Sequence, residues 1–399
     1  MRKNRVFFAV AGGHFTIDLL NSTGAVLLAV LKEPLGLSYA QIGTALTLYL
    51  LIGSLSQPLF GWLSDKMQGR VVFLAGSVLW MALCFTLVAF APSWTWLLPV
   101  FLLAPLGSGL FHPIGTAAVA TAAPERAASA TSLFFFAGQV GLATGPFLAG
   151  TLAGRFGAMG LLPLAVFALI PAAMLLLARR DERAFAVQPK PASTQRATRV
   201  RTNAAIALVV AFVVLVALRA SIQAVYQAYL PQLFQSRGWN PTLFGLMAGV
   251  FMAAGAVGQV ITGNIADRYG IRAAVLWPLL LSIPTGLFCL LTPSVGLAFV
   301  ACAAAGFLIG GQHSVLVVHA QQLLPVKQGF AAGLILGFNF ASGAIGTWFA
   351  GHIADSAGLQ PVMVWMTLLG LPAAALALTL PGQPRRAPAV VPATAPAGD

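Results

Sequence analysis

The chain of 399 residues is 59% hydrophobic and only 8% charged, and it carries a formal net charge of +13. A soluble domain of this composition would lack the polar side chains that hydrate a surface, so the composition predicts an integral membrane protein. A basic charge of this size can also indicate nucleic-acid binding, but the positions of the basic residues favour another explanation.

Twelve apolar runs of about twenty residues follow one another along the chain, and each is long enough to cross a bilayer as a helix. The strands of a membrane barrel would alternate in hydropathy and be about half as long, so an all-α membrane fold is predicted. The predicted spans, numbered 1 to 12, are 6–31, 39–64, 70–91, 95–120, 128–153, 158–178, 204–232, 242–266, 273–292, 295–320, 328–354 and 360–381.

The second half of the chain repeats the first. The offset between matching residues is 202 as far as Arg70 and 201 beyond it, and one lost residue explains the change. Duplication of six spans in the same direction is typical of one large class of membrane transporters. The pairs at 202 are Gly36/Gly238, Gly43/Gly245, Gly53/Gly255, Gln57/Gln259, Gly61/Gly263, Asp65/Asp267 and Arg70/Arg272; those at 201 are His112/His313, Pro124/Pro325, Gly150/Gly351 and Gly157/Gly358.

The polar segments between the spans predict the domain boundaries and the topology. Two six-helix bundles, 1–178 and 204–381, are joined by a polar cytoplasmic linker, 179–203, and followed by an Ala/Pro-rich tail, 382–399, that is predicted to be disordered and cytoplasmic. With the N-terminus in the cytoplasm, 18 of the 22 Lys and Arg fall on cytoplasmic segments, as the positive-inside rule requires. The basic residues therefore indicate the orientation of the chain in the membrane, with both termini in the cytoplasm. No nucleic-acid partner is expected.

The remaining connections are short and leave no room for a soluble catalytic domain. The sequence carries no phosphate-binding loop and no convincing dinucleotide motif. We therefore predict neither an enzyme nor an ATP-driven pump.

Two matching loops carry a recognisable signature. The segments "GWLSDKMQGR" (61–70) and "GNIADRYGIR" (263–272) share Gly-x-x-x-Asp-(Arg/Lys) followed by Gly and basic residues. In these loops the chain resembles the major facilitator superfamily, which implies twelve transmembrane helices in two pseudo-symmetric six-helix bundles. An acidic residue at a helix end, flanked by basic ones, can form a cytoplasmic latch that breaks as the bundles rock. The expected gating residues are Asp65, Lys66, Arg70, Asp267, Arg268 and Arg272.

Within that superfamily the chain resembles the fosmidomycin-resistance family of bacterial drug exporters, and the similarity covers nearly the whole chain. The chain differs from the family after the His-Pro of span 4. Members of that family often have Glu directly after this His-Pro, with Arg nearby, whereas this chain has Ile114, Gly115 and Thr116. The matching segments are "GHFTIDLLNS" (13–22), "LFHPIGTAA" (110–118), "LRASIQAVYQAYLP" (218–231), "AQQLLP" (320–325) and "GFNFASGAIGTWFAGHIAD" (337–355).

Charged residues inside spans cost about 2.5–3.5 kcal/mol on insertion scales, so those that remain usually face a cavity or a partner. In span 1, His14, Asp18 and Asn21 lie on one helical face. Asp18 is the one carboxylate predicted near mid-membrane and is our first candidate for proton coupling; the alternative is a structural ion pair. Arg219 in span 7 is next to the position equivalent to Asp18. It is expected to pair with Asp18 or to bind an anionic group of the substrate, or else to act only as a latch between the bundles.

Other polar residues in the spans complete the candidate site. His112 and His313 are repeat mates, and imidazole titrates near neutrality, which suits a proton relay. Two intramembrane histidines without further ligands make a weak metal site, so no metal is predicted. The amides and hydroxyls could bind substrate or simply join helices. The proton-coupling candidates are Asp18, His14, His112 and His313, and the substrate-binding candidates are Asn21, Arg219, Gln223, Tyr226, Gln227, Gln139 and Asn339.

Together these features predict a secondary transporter of a bacterial inner membrane. We expect a monomer that exports a small organic compound by alternating access, with the proton gradient as its energy source and no cofactor. Two alternatives stay open: proton-coupled uptake of a metabolite or organic anion, and a membrane receptor or sensor built on a transporter scaffold.

Overall fold

The computed structural model describes residues 2–66, 70–122, 127–179, 203–323 and 328–382. The predicted linker and tail fall almost entirely on 180–202 and 383–399, outside the described residues. Every predicted span coincides with helix to within four residues at either end. The helices are α1 (Arg2–Lys32), α2 (Tyr39–Lys66), α3 (Arg70–Ala89), α4 (Trp94–Ala122), α5 (Ala127–Phe156), α6 (Leu161–Phe167), α7 (Leu169–Ala178), α8 (Asn203–Ser236), α9 (Pro241–Tyr269), α10 (Ile271–Leu291), α11 (Val295–Gly311), α12 (His313–Leu323), α13 (Gln328–Ala357), α14 (Leu359–Leu368) and α15 (Gly370–Ala377).

These helices account for twelve crossings of a membrane. Within the described residues, ten stretches are long and apolar enough to cross one. One of the ten, Leu133–Ala178, has 46 residues and contains two passages separated by a 3-10 turn at Gly157–Gly160. The 30-residue helix α13 supplies the remaining passage.

Three of the twelve crossings are made of two consecutive helices. Single residues, Ala168, Gln312 and Leu369, separate α6 from α7, α11 from α12 and α14 from α15. Each of the three has right-handed helical backbone angles, so the chain keeps its direction through the interruption.

Four repeated glycines mark equivalent turns in the two halves. Gly36 and Gly238 have φ of +60° and +79°, and Gly157 and Gly358 have φ of +59° and +84°. Only glycine adopts this left-handed conformation without strain, which is why helices so often end at one. The glycine pattern of the repeat therefore reflects a repeated turn geometry.

The two halves pack together most extensively through two helix pairs, α2 with α13 and α5 with α9. Glycines bring the backbones into contact there. A Cβ placed on Gly245 would lie 2.9 Å from the Cα of Gly150, and one placed on Gly43 would lie 3.0 Å from the carbonyl oxygen of Thr347. Small residues allow this closeness between membrane helices. We call this end of the molecule, where α2 begins and α13 ends, the closed end.

Hydrogen bonds between the halves also lie at the closed end. In each, a side chain of one half donates to a backbone carbonyl oxygen of the other. The bonds are Thr47 Oγ1 to Ala344 O at 2.7 Å, Gln232 Nε2 to Ala25 O at 3.0 Å and the Tyr229 hydroxyl to Tyr39 O at 3.3 Å.

The buried apolar side chains form two separate cores. One core of buried side chains is continuous from the first half into the closed end of the second, for example from Leu28 to Phe234 and Met363. At the opposite end of the second half, α8, α10, α12 and α15 surround a separate core that includes Phe212 and Leu279. The halves are therefore joined through one shared core at the closed end.

The start of α2 is capped by both halves. Ser38 and Gln41 form a capping box, in which the Gln41 N–H donates to Ser38 Oγ at 3.1 Å and the Ser38 N–H donates to Gln41 Oε1 at 2.9 Å. The Tyr39 and Ala40 N–H groups donate to the two carboxylate oxygens of Asp355 on α13, at 2.7 and 3.1 Å. A carboxylate also suits the positive end of the helix dipole. Asp355 is thus a cap supplied by the other half.

Replacing Asp355 by alanine should loosen the closed end. Loss of a capping side chain costs about 0.5–2 kcal/mol, which corresponds to about 2- to 30-fold faster amide hydrogen exchange at Tyr39 and Ala40. Mass spectrometry of exchange in the purified protein measures this. The control is Ser356→Ala, because Ser356 Oγ donates only within its own helix, to Ile353 O at 3.1 Å. Equal exchange in the two variants would contradict the role of Asp355.

Candidate functional site

A buried carboxylate with two imidazoles lies midway along α1. Asp18 Oδ2 is 3.2 Å from His14 Nε2, and Asp18 Oδ1 is 3.3 Å from His112 Nε2 on α4. His14 and Asp18 are buried, whereas the His112 side chain is 23% exposed. The spacing of four residues in span 1 brings His14 beside Asp18, while His112 reaches them from another helix. We call these three residues the acidic triad.

The hydrogen bonds of the two imidazoles fix their tautomers. His14 Nδ1 lies 2.7 Å from the carbonyl oxygen of Phe134, and His112 Nδ1 lies 2.8 Å from that of Ser108. A carbonyl oxygen only accepts, so each Nδ1 carries a hydrogen, and in a neutral ring Nε2 is then a bare lone pair. Both lone pairs point at the carboxylate of Asp18. The triad is therefore complete only with a cation, either added protons or a metal ion, between these atoms.

A chain of side chains connects the triad to α2. Asn21 Nδ2 donates to Asp18 Oδ1 at 3.2 Å and to Ser108 Oγ at 2.9 Å, and the Tyr49 hydroxyl donates to Asn21 Oδ1 at 2.7 Å. Asn21 thus uses both of its polar atoms to position Asp18. Two residues before Tyr49, Thr47 bonds to the other half at the closed end. A displacement of α2 therefore reaches Asp18 through two hydrogen bonds.

Aromatic and small residues enclose the triad. The His14 ring stacks on Phe134, with ring centroids 3.9 Å apart. Gly138 on α5 lies directly against the pair: a Cβ there would be 2.5 Å from Asp18 Oδ2 and 2.7 Å from His14 Nε2. A side chain at this position would have to displace Asp18 or His14, so glycine leaves the space that the triad occupies.

Substituting alanine for Gly138 should force the triad apart. Overpacking of this kind costs about 1–3 kcal/mol, so we expect a lower thermal unfolding midpoint. The control is Gly337→Ala on α13, where a Cβ meets nothing within 4 Å and alanine should hold or raise stability. A Gly138→Ala protein as stable as wild type would show that the neighbouring side chains can move aside.

The second half carries a cluster of opposite charge around Arg219 on α8, which is 1% exposed. Its Nη1 lies 3.3 Å from His313 Nδ1 and 3.4 Å from Asn339 Oδ1. Its Nη2 donates to Gln223 Oε1, one turn along α8, and to the carbonyl oxygen of Ile309 at 3.0 Å. We call these residues the basic cluster. Because the guanidinium only donates, His313 Nδ1 must accept, and a neutral His313 carries its hydrogen on Nε2.

The interruption of span 10 contributes to this cluster. The carbonyls of Ile309 and Gly310, which accept from Arg219 Nη2, lie immediately before the break at Gln312. Backbone polar groups at an interruption of a membrane helix are tolerated where they find partners. Here the guanidinium is that partner.

The charge of Arg219 has no acidic partner among the described residues. Its bonds go to neutral acceptors, and its Nε is buried without a hydrogen-bond partner. A buried charge normally pairs with an opposite one. The pairing of Asp18 with Arg219 that the sequence suggested is not among the described contacts, since each residue bonds within its own half.

Asp18 and Arg219 lie one position away from exact equivalence in the repeat, but their contacts have the same spacing along the chain. Asp18 and His112 are separated by 94 residues, and so are Arg219 and His313. Gly138 lies 120 residues after Asp18 and touches it, just as Asn339 lies 120 residues after Arg219 and bonds to it. The duplicated geometry therefore carries an acid in one half and a base in the other.

The other predicted substrate residues lie apart from these contacts. The Tyr226 side chain is buried, and its hydroxyl lies 2.6 Å from Thr367 Oγ1, so it joins α8 to α14. Gln227 on α8 and Gln139 on α5 are half-buried and contribute no described bond to either cluster.

The predicted gating residues are only partly described. The side chains of Asp65, Lys66 and Arg70 lie outside the described residues. Asp267 and Arg268 are exposed, with the Arg268 guanidinium 5.2 Å from the centroid of the Tyr269 ring. Arg272 Nε donates to the carbonyl of Leu380 at 2.7 Å, which ties α10 to the end of the described chain.

Several residues of the site were missed from the sequence. Gly138 could have been found, since the repeat makes it the mate of Asn339. Tyr49 and Ser108 carry no signal, because single hydroxyls inside apolar spans are common. Asp355 lies in a segment that carried the family resemblance, but its capping role depends on the packing of α13 against α2.

Comparison with known proteins agrees with this architecture. The family model described as Major Facilitator Superfamily matches residues 10–233 and again 212–397. The Fosmidomycin resistance protein of Escherichia coli (strain K12) is 29% identical over 391 residues, covering 92% of this chain and 93% of that protein. The uncharacterized MFS-type transporter YfnC of Bacillus subtilis (strain 168) is 29% identical over 364 residues, covering 89% and 88%. The resemblances found in the sequence are thereby confirmed.

Solved structures share the fold at low sequence identity. The crystal structure of a bacterial homologue of the human lysosomal transporter Spinster, inward-facing and unoccupied, superposes with a TM-score of 0.74 at 16% identity, covering 95% of this chain and 97% of that one. The nucleoside transporter NupG gives 0.74 at 15% identity, covering 95% and 98%. The predicted fold class, twelve helices in two pseudo-symmetric bundles, is confirmed.

Proposed function

The chain belongs to the Major Facilitator Superfamily, and we propose that it exports a small organic compound from the bacterial cytoplasm in exchange for protons. As a multi-pass membrane transporter it is not an enzyme; it acts on a small-molecule substrate within a lipid bilayer. Residues 1–178 and 204–381 would be the two moving bodies and 179–203 their linker. We take the transporter to be monomeric, which light scattering in detergent checks.

The distribution of basic residues supports an orientation in the inner membrane with both termini on the cytoplasmic side. The closed end then faces the periplasm, and the conformation is inward-facing. Export requires the closed end to open, which breaks the bonds from Asp355 to the start of α2. The loops with Asp65, Lys66 and Arg70, and with Asp267, Arg268 and Arg272, would form latches at the opposite face in the outward-facing state.

The observation that carries the proton coupling is the pair of imidazole lone pairs aimed at Asp18. Protons are the simplest cations that satisfy these atoms, and imidazole is a common side chain for proton transfer. We therefore assign proton binding to Asp18, His14 and His112. Gain and loss of protons would be transmitted to α2 through Asn21 and Tyr49.

The unpaired charge of Arg219 supports recognition of an acidic substrate. A carboxylate or similar anion would bind the guanidinium bidentately, and Asn339 and Gln223 would hold the guanidinium in position. An anion bound here would neutralise the buried guanidinium, which has no acidic partner among the described residues.

Proteoliposomes with an imposed proton gradient test the proposal. A thermal-shift screen of acidic antibiotics and organic acids first selects a ligand, and a pH dye trapped in the vesicles then reports proton flux when that ligand is added. Antiport predicts that ligand and protons move in opposite directions.

The same assay separates the alternatives. Uptake of an organic anion, which the unpaired Arg219 would also suit, predicts that ligand and protons move in the same direction. A receptor or sensor predicts binding without flux. Either result would overturn the export proposal.

A further inference from the structure

The acidic triad has the composition and spacing of a transition-metal site. One ligand atom from each of His14, Asp18 and His112 can be chosen so that all three lie within 4.8 Å of one another. Imidazole and carboxylate ligands about 2.0–2.2 Å from a tetrahedral metal are about 3.4 Å apart. The separations are close to that figure, with one imidazole at each carboxylate oxygen: His14 Nε2 is 3.2 Å from Asp18 Oδ2, and His112 Nε2 is 3.3 Å from Asp18 Oδ1.

The outer contacts of both histidines match those of metal ligands. A metal-binding imidazole almost always donates its other N–H to a carbonyl or carboxylate, which fixes the ring and raises its basicity. His14 does so to the carbonyl of Phe134, and His112 to that of Ser108. Asn21 in turn holds the carboxylate of Asp18. The ligand atoms are thus oriented for a cation by groups that do not bind it.

We propose that the triad binds one divalent first-row transition-metal ion, such as Zn²⁺ or Co²⁺, through His14 Nε2, His112 Nε2 and the carboxylate of Asp18. Two nitrogen donors favour these ions over Mg²⁺ and Ca²⁺, which prefer all-oxygen sites. The partial exposure of the His112 side chain gives the ion a route from water. This inference goes beyond transport, because equilibrium binding of a metal needs neither a gradient nor a substrate.

Titration of Zn²⁺ into the full-length purified protein, with its affinity tag removed, tests the site by calorimetry. We expect one ion per chain, and intense visible bands of four-coordinate Co²⁺ when cobalt is used instead. Removing only an outer partner of a metal ligand typically costs about 10- to 100-fold in affinity, so losing a ligand should cost at least that. The variants are His112→Gln and His14→Gln.

The matched control is His352→Gln, because His352 is an exposed histidine that bonds only within α13, to Trp348 O at 2.9 Å. It should bind as wild type does. Size-exclusion profiles and thermal midpoints show which variants fold. If His14→Gln does not fold, His112→Gln still tests the site, because the His112 side chain is partly exposed.

Absence of stoichiometric Zn²⁺ binding to wild type would overturn the inference, as would equal affinities in His112→Gln and His352→Gln. Equal affinity for Mg²⁺ would overturn the assigned ion class. None of these results bears on proton-driven transport, which is measured without added metal, so the two proposals fail separately.

Discussion

Replacing Asp18 by asparagine is expected to uncouple transport from the proton gradient. Coupling between sites typically amounts to about 1–3 kcal/mol, so gradient-driven accumulation should fall by about 5- to 150-fold. Asparagine has nearly the same shape and keeps an oxygen for the bond from Asn21 Nδ2. It has no charge to hold protons on His14 and His112, so the triad loses its exchangeable cation while its packing is retained.

Transport in proteoliposomes at several gradient sizes gives the measurement, with ligand binding as a check on folding. Glu33→Gln is the matched control: it removes an exposed carboxylate of the same half, in the connection after α1, and should export as wild type does. An Asp18→Asn protein that exports as fast, and as steeply with the gradient, would exclude Asp18 from coupling.

The sequence predicted much of the acidic triad because it is partly local. The spacing of His14, Asp18 and Asn21 places them on one face of any helix, whatever surrounds it. The repeat also marked His112 and His313 as a pair. The charged partner of each histidine could also have been predicted, because Asp18 lies 94 residues before His112 and Arg219 lies 94 residues before His313. An internal repeat thus carries contact information, because copies of one half keep the same helix packing.

The contacts between the two halves could not be predicted from the sequence in this way. Near-equivalent positions suggested a bond between Asp18 and Arg219, but pseudo-symmetry relates their surroundings without bringing the two together. Each instead bonds to its own half, where the duplicated helices already supply partners. The cap that Asp355 provides for α2 depends on the relative position of two bundles, and no local pattern encodes that position.

Replacing Arg219 by lysine should weaken binding of acidic ligands by about 10- to 160-fold, because a hydrogen bond to a charged group contributes about 1.5–3 kcal/mol. Lysine keeps the charge but loses the planar fork. It cannot reach the carbonyl of Ile309 and Asn339 together, nor present the unpartnered Nε to an anion. The Arg219→Gln protein, which lacks the positive charge, should not bind acidic ligands at all.

Calorimetric titration of the strongest acidic ligand and of a neutral analogue measures the effect. Affinity for the acid should fall far more than affinity for the analogue, because only the acid uses the charge and geometry of the guanidinium. Arg237→Lys is the matched control, since Arg237 lies in the α8–α9 connection and its Nη2 donates to Gln360 Oε1 at 3.1 Å, away from the basic cluster. If Arg219→Lys bound the acid as tightly as Arg237→Lys does, Arg219 would only join α8 to α11, and the substrate would be recognised elsewhere.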